Sequence, residues 1–228
     1  MKKLIILILI IPIINNAYSE EYFDEAERLY LESNILEAKL LFELALDKDP
    51  YKEQTYLYLA MIYEMLKEYD KSLEILKKGL NYSNEQKYKF YYNMGNKYFT
   101  KNKYNLALEM YNDAITTEPR DADSYLNRGQ TRIKLFSKVE DKDERVEYIK
   151  TIISDYRTYL VLKPTSQQRE EIEKLLAKLN LFIRNKEAKE EELENLLEML
   201  NNASNSTKNL SAGAEDIDVE YEEEDILD

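Results

Sequence analysis

Forty-five carboxylates and not one histidine or cysteine define the chemistry open to these 228 residues. Without histidine the chain lacks the side chain that most often moves protons near neutral pH. Without cysteine it lacks a thiolate nucleophile and the soft metal ligands. No serine stands in the glycine-flanked, strained turn that exposes a nucleophile. The four glycines, at 79, 95, 129 and 213, are too scattered to cradle a phosphate. The carboxylates fall on polar helix faces, and the acidic C-terminal run has neither the spaced oxygens nor the turn glycine of a calcium loop. The expectation is no enzyme, no catalytic residue, no cofactor and no metal. What remains is binding.

The chain begins Met1-Lys2-Lys3, continues with an apolar run over 4–14, and reaches small residues at Ala17 and Ser19. Basic start, greasy centre and small end are the three parts of a secretory signal peptide. Cleavage after Ser19 and an exported, periplasmic location are therefore expected, with no integral membrane span afterwards. The alternative is an inner-membrane anchor formed by the uncleaved segment, although the run is well short of the ~20 residues a spanning helix needs. No cysteine is present to carry a lipid or a disulfide, so packing alone must hold an exported fold. Nine of the acids lie in 215–228, which leaves the body, 20–214, at about −6 with no basic patch. Nucleic acid is not an expected partner, because phosphate binding needs clustered Lys and Arg.

The elements that must position any binding groups are marked by the scarce residues. Beyond the leader the prolines are Pro50, Pro119 and Pro164, and Gly95 and Gly129 stand 34 apart. A fixed period of that size signals stacked supersecondary units. Laid out at this period, the chain gives rows over 21–50, 55–80, 91–119 and 124–164. Ala26, Ala60, Gly95 and Gly129 share one column, and Ala38, Ser72, Ala107 and Ile152 a second. Phe42, Leu76, Tyr111 and Tyr156 form a third, and Ala45, Gly79, Ala114 and Tyr159 a fourth. Small residues mark where the first helix of a hairpin comes closest to the second, and a larger side chain there would cost ~1–3 kcal/mol. Aromatics three or four residues from alanines trace one buried helix face, each ring contributing about 1.5–3 kcal/mol. Proline ends the second helices, with Asn84 doing so less firmly in row two. No strand-like alternation competes with these periods.

The columns resemble the tetratricopeptide repeat (TPR), a 34-residue helix–turn–helix unit, most fully in row three through Tyr91, Met94, Gly95, Tyr98, Ala107, Tyr111, Ala114 and Pro119. The resemblance implies an all-α fold: an α-solenoid of about four repeats, near 20–52, 53–86, 88–121 and 122–164. A C-terminal capping helix or helices within 165–202 and a disordered acidic tail over 203–228 complete it. Row four departs from the pattern. Arg132 replaces an aromatic, Ile152 and Tyr159 replace small residues, and an insertion near 137–147 either lengthens both helices or forms a protruding loop. Arg128 is expected to reach Asp155 across the hairpin. Thr165 with Gln168 reads as a capping box, followed by the stripe Ile172, Leu175, Leu176, Leu179, Phe182 and Ile183. Leu193, Leu196, Leu197 and Leu200 continue the cap or serve self-association.

In this family the first helices line a concave groove, and ligands contact positions around the small residue. Carried onto this sequence, the lining is Phe23, Asp24, Glu27 and Tyr30; then Leu57, Tyr58, Met61 and Met65; then Tyr92, Asn93, Asn96 and Phe99; and finally Asn127, Gln130 and Lys134. The aromatic and methionine end suits apolar anchors, since Met packs adaptably. The amide end suits an extended peptide backbone, because amides donate and accept together. Phe23 and Tyr92 occupy the key lysine positions of the family's chaperone-tail receptors, so that carboxylate clamp is not expected. The resemblance implies a non-enzymatic scaffold or adaptor of the bacterial cell envelope that binds a protein or peptide, with no oligomeric state implied. The alternatives are a periplasmic chaperone-like assembly factor for envelope proteins and a self-associating structural protein.

Overall fold

The structure, a computed structural model, describes residues 18–139, 141–184, 195, 196, 198 and 199. The apolar leader, Leu193, Leu197, Leu200 and the acidic tail lie outside the described residues. Among those described there is no strand. The helices are α1 (18–31), α2 (Ile35–Lys48), α3 (Glu53–Met65), α4 (Tyr69–Leu80), α5 (Lys87–Thr100), α6 (Tyr104–Thr117), α7 (Ala122–Phe136), α8 (Lys142–Leu162) and α9 (Arg169–Arg184). From α2 onward each helix packs on its successor, and α5 also touches α7. The arrangement is an all-α helical-repeat solenoid of four hairpins followed by α9. No helix among the described residues is long and apolar enough to cross a membrane.

The first three hairpins turn by one device. Ser33, Lys67 and Asn102 have φ of 65°, 61° and 56°. In each turn the residue after the left-handed one donates its amide five residues back: Asn34 to Leu29 (2.8 Å), Glu68 to Tyr63 (2.7 Å) and Lys103 to Tyr98 (2.8 Å). The left-handed residues themselves donate to Tyr30, Glu64 and Phe99, completing three Schellman motifs that satisfy the last carbonyls of the first helices. Hairpin four abandons the device. Lys138 and Val139 donate three residues back, and Asp141 then caps α8 by accepting from the amides of Asp143 and Glu144. The insertion goes into α8, which has 21 residues, while α7 has 15. It lengthens one helix rather than both.

Between hairpins, the tyrosine hydroxyls of Tyr56 and Tyr125 donate to the carbonyls of Pro50 and Pro119, at 2.9 and 3.3 Å. Row two lacks its proline, and Glu53 serves that junction instead. Its carboxylate accepts from Ser83 Oγ (2.7 Å) and from the amides of Asn84 (2.6 Å) and Gln86 (3.1 Å). Burial pushes the Glu53 carboxyl up, but these donors outweigh it and hold the group below its ordinary value.

The core is strung along the array, one cluster per junction. Phe42, Ala45 and Tyr58 belong to the first, Tyr56, Leu76, Phe90 and Met94 to the second, and Phe99, Ala107 and Tyr111 to the third. The last joins Phe136, Ile152, Tyr156, Ile172, Leu175 and Leu179, with Leu196 buried in it and Met199 packed against it. Leu196 thus belongs to the interior of this last cluster. One local expectation is corrected. The helix α9 begins at Arg169 rather than in a Thr165–Gln168 capping box, and Thr165 is exposed. Ser166 supplies the side chain there, accepting the Gln168 amide at 3.1 Å while bonded to Tyr159. At the other end, Ser19 lies inside α1, is buried, and donates to the Ala45 carbonyl at 3.1 Å. A cut after Ser19 would fall within that helix.

Candidate functional site

The odd-numbered helices, α1, α3, α5 and α7, are joined along one side by polar contacts between neighbours. Tyr58 of α3 donates to Glu27 of α1. Glu64 of α3 pairs with Lys97 of α5. Asn127 of α7 donates to Asn96 (2.9 Å) and Tyr92 (3.2 Å) of α5. Asn96 also accepts from Tyr111 of α6 at 2.7 Å.

Burial grades this strip. Lys97 is only 2% exposed, and the loss of hydration pushes its ammonium below the ordinary lysine value, with Glu64 opposing. Glu64 keeps 42% of its side chain in solvent, so its carboxylate bridges the interior to the surface. Tyr111 is buried, which raises its phenol well above the ordinary value; it is therefore a neutral donor to Asn96. Asn127 and Gln130 are buried as well. Asn127 Oδ1 and Gln130 Nε2 have no hydrogen-bond partner. Such a strip holds amides, phenols, the Glu27 carboxylate and one buried ion pair. What it offers is hydrogen bonding.

The crystal structure of the protein MamA superposes with a TM-score of 0.51 and 21% identity, covering 76% of this chain and 96% of that one. A MamA RS-1 double mutant gives 0.57 with 14% identity over 83% of this chain and 96% of that chain. The 41-to-end piece of MamA from Desulfovibrio magneticus RS-1 gives 0.56, also at 14%, over 81% and 96%. The family profile of the TPR repeat matches residues 95–135. The fold is that of a tetratricopeptide-repeat solenoid. No curated protein matches the chain by sequence.

Within the TPR array the expected groove residues divide by burial. Phe23, Leu57, Tyr58 and Phe99 are buried. Phe23 packs edge-on to Phe42 and Tyr58 at 5.4 and 5.7 Å, and Tyr58 stacks on Phe42 at 4.7 Å. Phe99 meets Tyr104 at 5.3 Å. These four pack the junctions instead of lining an open groove, because an apolar side chain between hairpins is better covered by the next hairpin than by solvent. Asn127 and Gln130 are likewise interior. Solvent reaches Asp24 and Met65 freely, and Glu27, Tyr30, Met61, Tyr92, Asn93, Asn96 and Lys134 in part. Asn93 spends its amide N–H on the Lys89 carbonyl at 2.8 Å.

The repeat positions Ala26, Ala38, Ala60 and Ala107 are buried, as are Gly95 and Gly129. The aromatic of hairpin four is replaced as its neighbours require. Asp155, 1% exposed, accepts from Arg128 (2.6 and 3.1 Å) and from Arg132 (2.5 Å). Burial pushes the Asp155 carboxyl up and the two guanidiniums oppose it. Arg128 was legible as its partner; Arg132 was not. Nor were Glu53, Glu64 and Lys97, since their partners lie about one repeat away and nothing in the columns pairs them.

Proposed function

We propose that the protein is a non-enzymatic TPR scaffold or adaptor of the bacterial cell envelope, holding a peptide segment or partner helix along its odd-numbered helices. One observation carries this reading: after the array has packed its own aromatics, Met61, Met65, Tyr30, Glu64, Asn93 and Asn96 keep contact with solvent on helices already linked side by side. Those groups combine adaptable apolar surface with amide and carboxylate acceptors, the mixture an extended peptide needs. The envelope assignment rests on the basic, apolar and small segments of residues 1–19, an export signal by composition.

Crosslinking capture from an envelope extract tests the binding role. Replacing Met61 and Met65 with Ser and Asn93 with Ala should reduce capture at least about tenfold, a loss of ~1.4 kcal/mol, while the helical circular dichroism stays intact. Capture that does not change would remove this face from the function. A single stoichiometric partner fits the adaptor. A smear of unfolded clients fits the chaperone-like alternative, which the half-exposed Met65 favours.

A further inference from the structure

The side of α2 that faces away from the core is apolar where the matching side of every other hairpin is polar. Leu36, Leu40 and Leu44 are 69%, 57% and 38% exposed. Registered on Ala38, Ser72, Ala107 and Ile152, the same three positions hold Asp70, Glu74 and Lys78 in α4. They hold Asn105, Glu109 and Asp113 in α6, and Lys150, Ser154 and Thr158 in α8. All of these are exposed or partly exposed. Stacking of the array therefore makes no use of leucine at these positions. The face that α2 gives to the core is a different one, carried by Ala38, Phe42 and Ala45.

Apolar side chains at i, i+4 and i+8 form a ridge, and such a ridge interlocks with the corresponding ridge of a second helix crossing at about −50°. The ridge of α2 has an acidic border. Glu37, Glu43 and Asp47 are exposed beside it. Lys39 leans the other way, over the Tyr63 ring at 5.5 Å and toward Glu43 at 3.7 Å, and Lys48 pairs with Asp47 at 3.1 Å.

We propose that this ridge docks a helix of another protein, one whose own apolar i, i+4 ridge is flanked by lysine or arginine. Basic flanks would meet Glu37, Glu43 and Asp47. A second copy would set one acidic hairpin against another, since residues 18–48 carry nine acids to three bases, and an anionic bilayer would face the same repulsion. The site is separate from the face of the odd-numbered helices, so either binding role can fail without the other.

The full chain is titrated with two synthetic helical peptides that share a leucine ridge, one flanked by lysines and the other by glutamates. The lysine-flanked peptide should bind, and Leu36→Ser, Leu40→Ser and Leu44→Ser together should weaken it at least about tenfold. Removing two other exposed apolar side chains, Val161→Ser with Leu181→Ser, should leave binding unchanged. Because the three leucines lie outside the core, helicity should persist, and Leu40→Ser alone repeats the test more gently. Equal affinity for both peptides, or for the triple variant, overturns the proposal. So does a leucine-dependent dimer in light scattering, which would make the occupant a second copy. Leucine-dependent sedimentation with phosphatidylglycerol vesicles would make it a bilayer, and equally overturns it.

Discussion

A β-carbon added to Gly95 would lie 2.6 to 2.9 Å from three atoms of the Tyr111 ring. That ring is buried and bonded through its hydroxyl to Asn96, so it has nowhere to move. At Gly129 the nearest approach is 3.2 Å, to Tyr156. Alanine gains about 1 kcal/mol of helix propensity over glycine at either position. Overpacking opposes it with ~1–3 kcal/mol, and only where the neighbour cannot give way. Gly95→Ala should therefore destabilise by up to about 2 kcal/mol, whereas Gly129→Ala should lie within ~1 kcal/mol of the parent, on the stabilising side. Urea unfolding of the two variants checks the ordering, and equal losses would contradict it. The same column of the sequence thus holds two glycines with different reasons for being small.

At the scale of single elements, the hairpin turns show where sequence and backbone disagree. Left-handed conformation favours glycine, yet the three turns carry Ser33, Lys67 and Asn102. Asn tolerates that region through its short polar side chain, and Lys has no such help. Lys67→Gly should stabilise the protein by roughly 0.5–1 kcal/mol, and Asn102→Gly by less, because relief of strain exceeds the added freedom of the unfolded chain. Thermal unfolding would show a raised midpoint for the first; a lowered one would mean that Lys67 is not strained. Helix lengths and junctions follow a similar logic. Glu53 replaces a missing proline by collecting amide donors, and the insertion of row four is absorbed by α8 once the Schellman turn is gone.

For the whole molecule, the consequence of packing with tyrosine is a fold that fails in alkali. Tyr56, Tyr111 and Tyr156 are essentially unexposed. Burial pushes the Tyr56 phenol from its ordinary 10.0 up to about 12, and raises Tyr111 and Tyr156 as well. In the unfolded chain these phenols ionise near 10, while in the folded array they keep their protons. Stability is thus whole below pH 10 and falls as pH rises through the window toward 12, since the unfolded state then holds fewer protons. Urea midpoints across that range, read beside phenolate absorbance, test this. Ionisation of the buried rings before any loss of helix would defeat it.

The columns of small residues, aromatics and prolines were enough to establish an all-α hairpin array, its period and the Arg128–Asp155 pair, because these depend on spacing along one helix or across one hairpin. They could not say which groove side chains stay open. Phe23, Tyr58 and Phe99 look like ligand anchors in sequence and are interior in three dimensions, because the next hairpin buries the ring before any partner arrives. Lys97 with Glu64, and Asn96 with Asn127, are likewise set by stacking, for their partners come from different repeats. Spacing is local and was written in the chain; accessibility is a property of neighbours and was decided only when the hairpins came together.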